Sequence, residues 1–216
     1  MWIIGITGGI GAGKSFLSKS FVSMGVPVHS SDKCIHFLLG HDKEIQKRIK
    51  AQWPQAFIKG KIDRKVLGDL VLSSSSDLKL LEEILYPKLL ESQKEFLKRN
   101  QAQGRKIVAL DIPLLFEVGL DRYCHFVVLA STPLFLRKKR VLQRKGMNLK
   151  KFRVFEGEQM KDHQKRQKAD FVIPCGREKG SAFKKVKYVL DLISQELPPR
   201  WQGKWPSNIS KNAYKK

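Results

Sequence analysis

The chain has 216 residues, of which 42% are hydrophobic, and its 42 Lys and Arg against 20 Asp and Glu give a net charge of +22. This length and composition predict one domain with a hydrophobic core. No apolar run approaches the roughly 18 residues of a membrane-spanning helix, so no membrane association is expected. The basic surplus favours polyanions such as nucleotides, nucleic acids or acidic lipids, and a Lys-rich solvated surface explains it equally well.

The cysteine pattern and the N-terminus bear on the compartment. Cys34, Cys124 and Cys175 are far apart in the sequence and odd in number. They predict inert thiols rather than disulfides or a zinc site. The N-terminus shows no signal-peptide pattern, so a cytoplasmic protein is expected.

The first predicted elements flank a glycine-rich loop. Residues 2–7 are apolar and β-prone, which predicts a buried strand. Leu17, Phe21 and Met24 recur at helical spacing and predict a helix that Gly25 can end. A phosphate-binding loop requires this strand–loop–helix context.

The loop itself, residues 8–15, fits the pattern G-x-x-x-x-G-K-S/T. Its glycines let successive backbone N–H groups surround a phosphate, and the following helix adds its positive N-terminal end. Lys14 is expected to reach the β- and γ-phosphates, and Ser15 to hold a magnesium ion. The loop therefore predicts a nucleoside triphosphate site; the alternative is a Gly-rich turn that binds nothing.

The second predicted strand, residues 26–29, is followed by Asp32. Ligands bind at the carboxyl ends of the strands in open α/β sheets, so Asp32 is placed to accept a proton from an acceptor hydroxyl. It can also cap a helix that begins at Lys33, and both roles are compatible. Residues 33–72 are predicted to be largely helical.

A long helix and a third strand follow. The helix is predicted to begin at residues 76–77, to kink or restart at Pro87 and to end at residues 101–104. Residues 107–110 form a fully apolar strand that leads to Asp111. A carboxylate there is the usual support of a Walker-B-type magnesium ion, and a strand-end turn residue is the alternative.

The fourth strand, residues 126–129, precedes a helix that Thr132 and Pro133 start and that runs to Gly146. Three arginines share one face of this helix and can close as a lid over a transferring phosphoryl group; a solvated helix face is the alternative. They are Arg137, Arg140 and Arg144. Residues 137–168 contain 13 Lys or Arg and three acids, the densest basic stretch of the chain.

The alternation of strands and helices predicts the fold. Residues 171–173 form a fifth strand and residues 181–197 a last helix. The expected fold is α/β, P-loop NTPase-like and three-layered, with a five-stranded parallel sheet covered on both faces. One domain is predicted over residues 1–197, followed by a disordered basic tail over 198–216.

Within that domain, three parts are expected. The core comprises residues 1–32, 105–136 and 169–197. Residues 33–104 form a helical substrate-binding region, and residues 137–168 form the lid.

Several of these segments together resemble the dephospho-CoA kinase family, over nearly all of residues 3–193. The resemblance is carried by G-I-T-G-G-I-G-A-G-K-S at 5–15, Asp32, D-R-K-V-L at 63–67, L-Y-P at 85–87, D-I-P-L-L-F-E at 111–117, R-V-L-Q-R at 140–144, Gln159 and K-R-Q-K-A-D-F-V-I at 165–173.

The resemblance implies transfer of the γ-phosphoryl group of ATP to the ribose 3′-hydroxyl of dephospho-CoA, giving CoA and ADP, with Mg²⁺. It implies catalytic roles for Asp32, Lys14 and Arg140, and places the CoA moiety against residues 33–104. The expected ATP-binding residues are Gly9, Gly11, Ala12, Gly13, Lys14, Ser15, Phe16 and Arg144. The expected substrate-binding residues are Asp32, His36, Pro113, Leu114 and Glu117, and the expected metal ligands are Ser15 and Asp111.

The chain departs from the family pattern at a few positions: Phe16 for threonine, Ser30 for a first aspartate, His36 for arginine, Tyr86 for histidine and Glu158 for arginine. The P-loop lysine, the catalytic acid and the lid arginine are all present. A P-loop kinase for a nucleoside, a nucleotide or shikimate is one alternative, and a nucleic-acid-binding P-loop protein is another. We expect a monomer or weak homo-oligomer with no specific nucleic-acid partner.

Overall fold

A computed structural model describes residues 1–176 and 179–209 of the chain. Short apolar segments form the strands, and five of them make one parallel sheet in the order β2-β5-β1-β6-β7. In chain order the strands are β1 (Trp2–Gly8), β2 (Val28–Ser30), β3 (Phe57–Ile58), β4 (Lys61–Ile62), β5 (Ile107–Asp111), β6 (Phe126–Ser131) and β7 (Phe171–Pro174). β3 and β4 form a separate hairpin.

The helices lie on both faces of the sheet and in a region beside it. In chain order they are α1 (Lys14–Ser23), α2 (Ser31–His41), α3 (Lys43–Gln52), α4 (Arg64–Val71), α5 (Ser75–Ala102), α6 (Leu134–Leu142), α7 (Leu149–Gly157), α8 (Asp162–Lys168) and α9 (Lys179–Ser194). Among these described elements, none is long and apolar enough to cross a membrane. The prediction of an α/β fold with a five-stranded parallel sheet is confirmed.

The central strand β1 is buried on both faces because its side chains alternate between two apolar clusters. Ile4 and Ile6 pack in the first cluster, which includes Leu17 of α1 and Val186 of α9. Ile3 packs in the second cluster, which lies on the opposite face with the C-terminal half of α5. The sheet is therefore the middle layer of three.

The helical region has an apolar core of its own, the third cluster. It joins α2, α3, α4 and the N-terminal half of α5 through residues such as Leu39, Ile49, Leu67 and Ile84. A kink or a restart of the helix was expected at Pro87. α5 continues through Pro87 as one helix, so the expected restart is wrong. This region stands next to the carboxyl ends of β2 and β5, since α2 follows β2 directly.

The register of the sheet brings polar residues together at its carboxyl edge. Ile6 of β1 lies opposite Asp111 of β5, and Asp111 in turn lies opposite Ser30 of β2. β1 leads directly into the glycine-rich loop. The ends of three neighbouring strands therefore converge on one place.

The expectation of a disordered tail from residue 198 is wrong for the residues that are described. Trp201 and Trp205 are only 8% and 6% exposed and belong to the second cluster. The side chain of Gln101 donates a hydrogen bond of 2.9 Å to the Trp201 carbonyl. The basic, Gly- and Pro-containing composition gave no sign that these two tryptophans are buried in the second cluster. Residues 210–216 lie outside the described residues.

Candidate active site

The glycine-rich loop wraps the start of α1 in the expected way. Gly11 and Gly13 adopt φ of +77° and +101°, which only glycine takes without strain. A Cβ on Gly13 would lie 2.7 Å from the Cβ of Cys175, so the loop is also closely packed from behind. Burial raises the pKa of the Cys175 thiol to about 11, consistent with the inert thiol that was expected.

A cavity of about 500 Å³ opens over this loop. Its lining includes every residue that the sequence predicted to bind ATP: Gly9, Gly11, Ala12, Gly13, Lys14, Ser15, Phe16 and Arg144. Backbone N–H groups at a helix N-terminus favour a bound anion. The cavity therefore suits the phosphates of a nucleotide.

Lys14 lies between two carboxylates. Its Nζ contacts Asp111 and lies 3.9 Å from Oδ2 of Asp32. Asp111 is buried, and its second oxygen accepts a hydrogen bond of 2.7 Å from the hydroxyl of Ser18. Ser18 was not predicted; its only signal is its position four residues after Lys14, on the helix face toward the sheet.

Asp32 lies in the first turn of α2 and is exposed. Ser30 is the N-cap residue, because its hydroxyl accepts a hydrogen bond from the Lys33 N–H at 3.4 Å. The alternative role of Asp32 as the helix cap is therefore wrong, and its carboxylate makes no capping hydrogen bond to α2. The side chain of Asp32 is 64% exposed.

A second cavity, of about 270 Å³, lies between the helical region and the segment after β5. It is lined mainly by Leu, Ile and Val side chains and includes Leu114. The two cavities share Asp32, Pro113, Phe155 and Gln159 in their linings. Asp32 thus stands at the junction between a phosphate-binding cavity and an apolar one.

Two of the predicted substrate-binding residues lie elsewhere. The described linings of the two cavities leave out His36 and Glu117. His36 is exposed on α2. Glu117 is buried, and its Oε1 lies 2.8 Å both from the Met160 N–H and from Nζ of the fully buried Lys165. Neither position supports direct contact with a ligand in these cavities.

The ion pair of Glu117 and Lys165 acts on the glycine-rich loop indirectly, through the segment before α8. By holding the Met160 N–H, Glu117 fixes the segment that contains Gln159. The side-chain oxygen of Gln159 accepts a hydrogen bond of 2.8 Å from the Ile10 N–H of the glycine-rich loop. In the sequence, Gln159 stands only as part of the family pattern, and the sequence predicts no role for it.

The three arginines of the predicted lid face differ in their surroundings. The helix α6 carries Arg137 and Arg140 but ends at Leu142, short of the predicted Gly146, and its N-cap residue is Pro133 instead of Thr132. Arg144 lies in the turn that follows α6, so the prediction that all three arginines share one helix face is wrong for Arg144. Arg137 is only 3% exposed, pairs with Glu156 and donates to the Ile10 carbonyl. It is therefore a packing residue of the loop and cannot move over a phosphate as expected.

Arg140 and Arg144 both line the cavity over the glycine-rich loop. The guanidinium of Arg140 donates to the carbonyls of Cys175 and Gly176 at 2.9 and 2.6 Å, and more weakly to that of Gly11 at 3.4 Å. The guanidinium of Arg144 makes no hydrogen bond or ion pair within residues 1–176 and 179–209. Among the described residues, Arg144 is thus the arginine of this cavity whose guanidinium is available to an anion.

The oxygen donors near the loop bear on a metal ion. No group of three or more His, Cys, Asp or Glu suited to a metal is found in the part of the chain that is described. Ser15 is exposed and lines the cavity, whereas Asp111 is engaged by Lys14 and Ser18. A few oxygen donors beside a phosphate site fit Mg²⁺, which is usually held by one or two protein groups, water and substrate phosphates.

Comparisons with known proteins show the family of the chain. The family model described as dephospho-CoA kinase matches residues 2–178. A dephospho-CoA kinase of Agrobacterium fabrum is 39% identical over 193 residues, 89% of this chain and 98% of the relative. That of Bartonella quintana is 37% identical over 191 residues, 88% of this chain and 97% of the relative.

Solved structures give the same result at the level of the backbone. TT1252 from Thermus thermophilus superposes with a TM-score of 0.74 at 33% identity, over 88% of this chain and 97% of that one. The dephospho-CoA kinase from Campylobacter jejuni superposes with a TM-score of 0.60 at 27% identity, over 90% and 98%. The chain belongs to the dephospho-CoA kinase family.

Proposed function

We propose that this protein transfers the γ-phosphoryl group of ATP to the ribose 3′-hydroxyl of dephospho-CoA, giving CoA and ADP, the last step of CoA biosynthesis. The observation that carries the proposal is the junction of the two cavities at Asp32. One cavity suits a polyphosphate and the other an uncharged part of an acceptor. The phosphoryl group would pass from ATP to the acceptor at the border that the two cavities share.

On the nucleotide side, the chain supplies positive charge and N–H groups to the phosphates. The N–H groups of the glycine-rich loop and the ammonium group of Lys14 bind the β- and γ-phosphate oxygens, where negative charge is held during transfer. Lys14 already lies at the edge of the cavity, positioned by Asp111. Arg144 adds a second positive charge, whereas Arg140 holds Cys175 and Gly176, just after β7, against the cavity.

On the acceptor side, Asp32 accepts the proton of the 3′-hydroxyl as that oxygen attacks the γ-phosphorus. The carboxylate suits this role because it is exposed to both cavities and does not serve as a helix cap. A general base must lie within hydrogen-bond reach of the proton that it takes. Pro113 borders the same junction, where the hydroxyl of Thr7 holds its carbonyl at 3.1 Å.

We also propose that Mg²⁺ accompanies ATP. The hydroxyl of Ser15 would bind the ion directly, and the carboxylate of Asp111, which contacts Lys14, would lie close enough to stabilise its charge. The ion would neutralise charge on the phosphates that the loop binds. Removal of Mg²⁺ with EDTA should abolish turnover, and titration with Mg²⁺ should restore it.

The experiment that tests the function is an ADP-release assay with a panel of acceptors. Dephospho-CoA should give the highest kcat/KM, with CoA identified as the product by mass spectrometry. Adenosine, thymidine, AMP and shikimate test the alternative of another small-molecule kinase. Higher kcat/KM with one of these acceptors than with dephospho-CoA would overturn the proposal.

The remaining expectations, including the cytoplasmic location and the monomeric or weakly oligomeric state, stay predictions. Weak nucleic-acid binding at low salt follows from the charge of +22 alone, through counterion release. Measured at physiological salt, binding to DNA or RNA should be weak and independent of sequence. Tight, sequence-selective binding at that salt would favour the nucleic-acid alternative.

A further inference from the structure

We propose that the C-terminal segment, residues 198–209, completes the wall of the second, apolar cavity, called the acceptor cavity from here on. We also propose that Ile209 is a specificity-determining residue for the acceptor. The inference rests on the proposed function. The segment lies beyond the family match, which ends at residue 178.

The segment is fixed to the core at several points. The N-terminal ammonium group of Met1 donates to the Pro199 carbonyl, and Gln101 of α5 donates to the Trp201 carbonyl at 2.9 Å. Trp205 is buried, with its ring 5.7 Å from that of Tyr123 in an edge-to-face arrangement. Two buried indoles stabilise the docked segment because each removes a large apolar surface from water. The segment therefore reaches residue 209 along a defined path.

Ile209 lies where that path meets the acceptor cavity. It is half-buried, packs against the second cluster as Leu114 does, and lines the apolar cavity together with Leu114, Val118 and Leu120. Trp201 and Trp205 pack in this same cluster. The position of the tail and the shape of the cavity are thus coupled through one set of apolar contacts.

The chemistry of the cavity identifies what Ile209 contacts. Its polar lining includes the acidic residues Asp32, Glu82 and Glu158, which disfavour a phosphate inside it. The wall next to Ile209 is aliphatic. The group against Ile209 is therefore an uncharged part of the acceptor, the adenine or the pantetheine arm of dephospho-CoA.

The test compares Ile209→Asp with Ser207→Asp in the full-length protein. Ser207 is exposed and outside the cavity lining, so its variant carries the same charge two residues away. Ile209→Asp should raise the KM for dephospho-CoA by about tenfold or more, since a carboxylate replaces an apolar contact. Ile209→Ala should raise it by about threefold to tenfold, through the loss of methyl and methylene contacts. The KM for ATP and the melting temperature should stay close to those of the wild type in all three variants.

The outcomes separate this inference from the proposed function. If wild-type protein turns over dephospho-CoA and Ile209→Asp leaves its KM unchanged, the wall assignment is overturned while the function stands. An equal rise in both KM values, or an equal effect of Ser207→Asp, would also overturn it. If the wild type neither binds nor phosphorylates dephospho-CoA, both proposals fail. A parallel loss of adenosine binding in Ile209→Asp would assign the contact to the nucleoside, and unchanged adenosine binding would assign it to the pantetheine arm.

Discussion

The ammonium group of Lys14 contacts the carboxylate of Asp111 at the end of β5, on the inner side of the glycine-rich loop. The pair places a phosphate-binding lysine on a rigid strand end before any nucleotide arrives. Ser18 holds the other oxygen of Asp111. Phosphates that bind above the loop therefore meet a charge whose position is already set.

Lys14→Ala should reduce turnover below detection, because the transferring phosphoryl oxygens lose their nearest positive charge. It should also lower the free energy of unfolding by about 3 kcal/mol, since buried Asp111 loses its partner. The double variant Lys14→Ala/Asp111→Asn should recover much of this stability but no activity. Turnover close to normal in a folded Lys14→Ala protein would contradict the assignment of the loop.

Asp32→Asn should lower kcat by about 10²–10⁴-fold, the usual contribution of a general base. The KM for ATP should change little, because the loop and Lys14 hold the phosphates. Steady-state kinetics at saturating acceptor measure both quantities. Asp191→Asn, an exposed aspartate on α9 outside both cavity linings, is the matched control. A fall in ATP affinity with unchanged kcat would instead make Asp32 part of the nucleotide site.

Arg144→Ala should lower kcat more than Arg140→Ala does, the reverse of the order that follows from the family resemblance, which gives Arg140 a catalytic role and Arg144 only a role in ATP binding. Arg144 lines the cavity, and its guanidinium has no partner within the part of the chain that the structure describes. It can therefore reach a transferring phosphoryl group, and such arginines contribute about 10³–10⁵-fold to turnover. Arg140 holds the carbonyls of Cys175 and Gly176, so its loss should mainly raise the KM for ATP.

Arg153→Ala, on an exposed position of α7, is the control for the two arginine variants. It should leave both kinetic constants unchanged. Equal and small effects of all three substitutions would support a solvated arginine face. A larger loss of kcat for Arg140→Ala would restore the order expected from the sequence.

Lys165→Met should destabilise the protein by about 3–5 kcal/mol, because it leaves the buried carboxylate of Glu117 without its charge partner. Adding Glu117→Gln should recover most of that loss, since an amide oxygen still accepts from the Met160 N–H. Urea unfolding of the single and double variants measures both effects. Similar stability of the single variant and the wild type would show that the pair contributes nothing.

The stability should fall as the pH decreases from 6.5 toward 4. Burial, followed by the nearby Arg99, lowers the pKa of His29 to about 4 from its ordinary 6.5. Below pH 6.5 the unfolded chain therefore binds a proton that the native protein excludes, which costs up to about 3 kcal/mol in all. Unfolding experiments at pH 7.5 and 5.5 should differ by about 1 kcal/mol from this residue. His29→Asn should remove that difference; an unchanged pH dependence would contradict the assignment.

The sheet and the loop were predictable because their signals are local. A strand, a glycine-rich turn and an amphipathic helix occupy residues 2–24 in one continuous run, and Asp32 follows its strand directly. The roles within the arginine face were not predictable, since Arg137 and Arg144 share the same helical spacing. The folded structure is needed to show that Arg137 is buried against Ile10 while Arg144 lines the cavity.

The packing of the tail was not predictable either, because it depends on residues far away in the sequence. Trp201 and Trp205 lie among basic residues, glycine and proline, a composition typical of a disordered segment. Their burial depends on partners about 80 to 100 residues away, Tyr123 and Gln101. Glu117 likewise resembled a ligand-binding residue by its motif, although its partner Lys165 lies on a distant helix.

The four tryptophans divide the molecule into separately observable parts. Trp2 packs beside the first cluster, Trp53 is buried in the third, and Trp201 and Trp205 anchor the tail in the second. Fluorescence from Trp→Phe variants that keep one anchor would thus report the release of the tail, while Trp53 alone would report the helical region. Intrinsic emission can follow each event in solution without an attached dye.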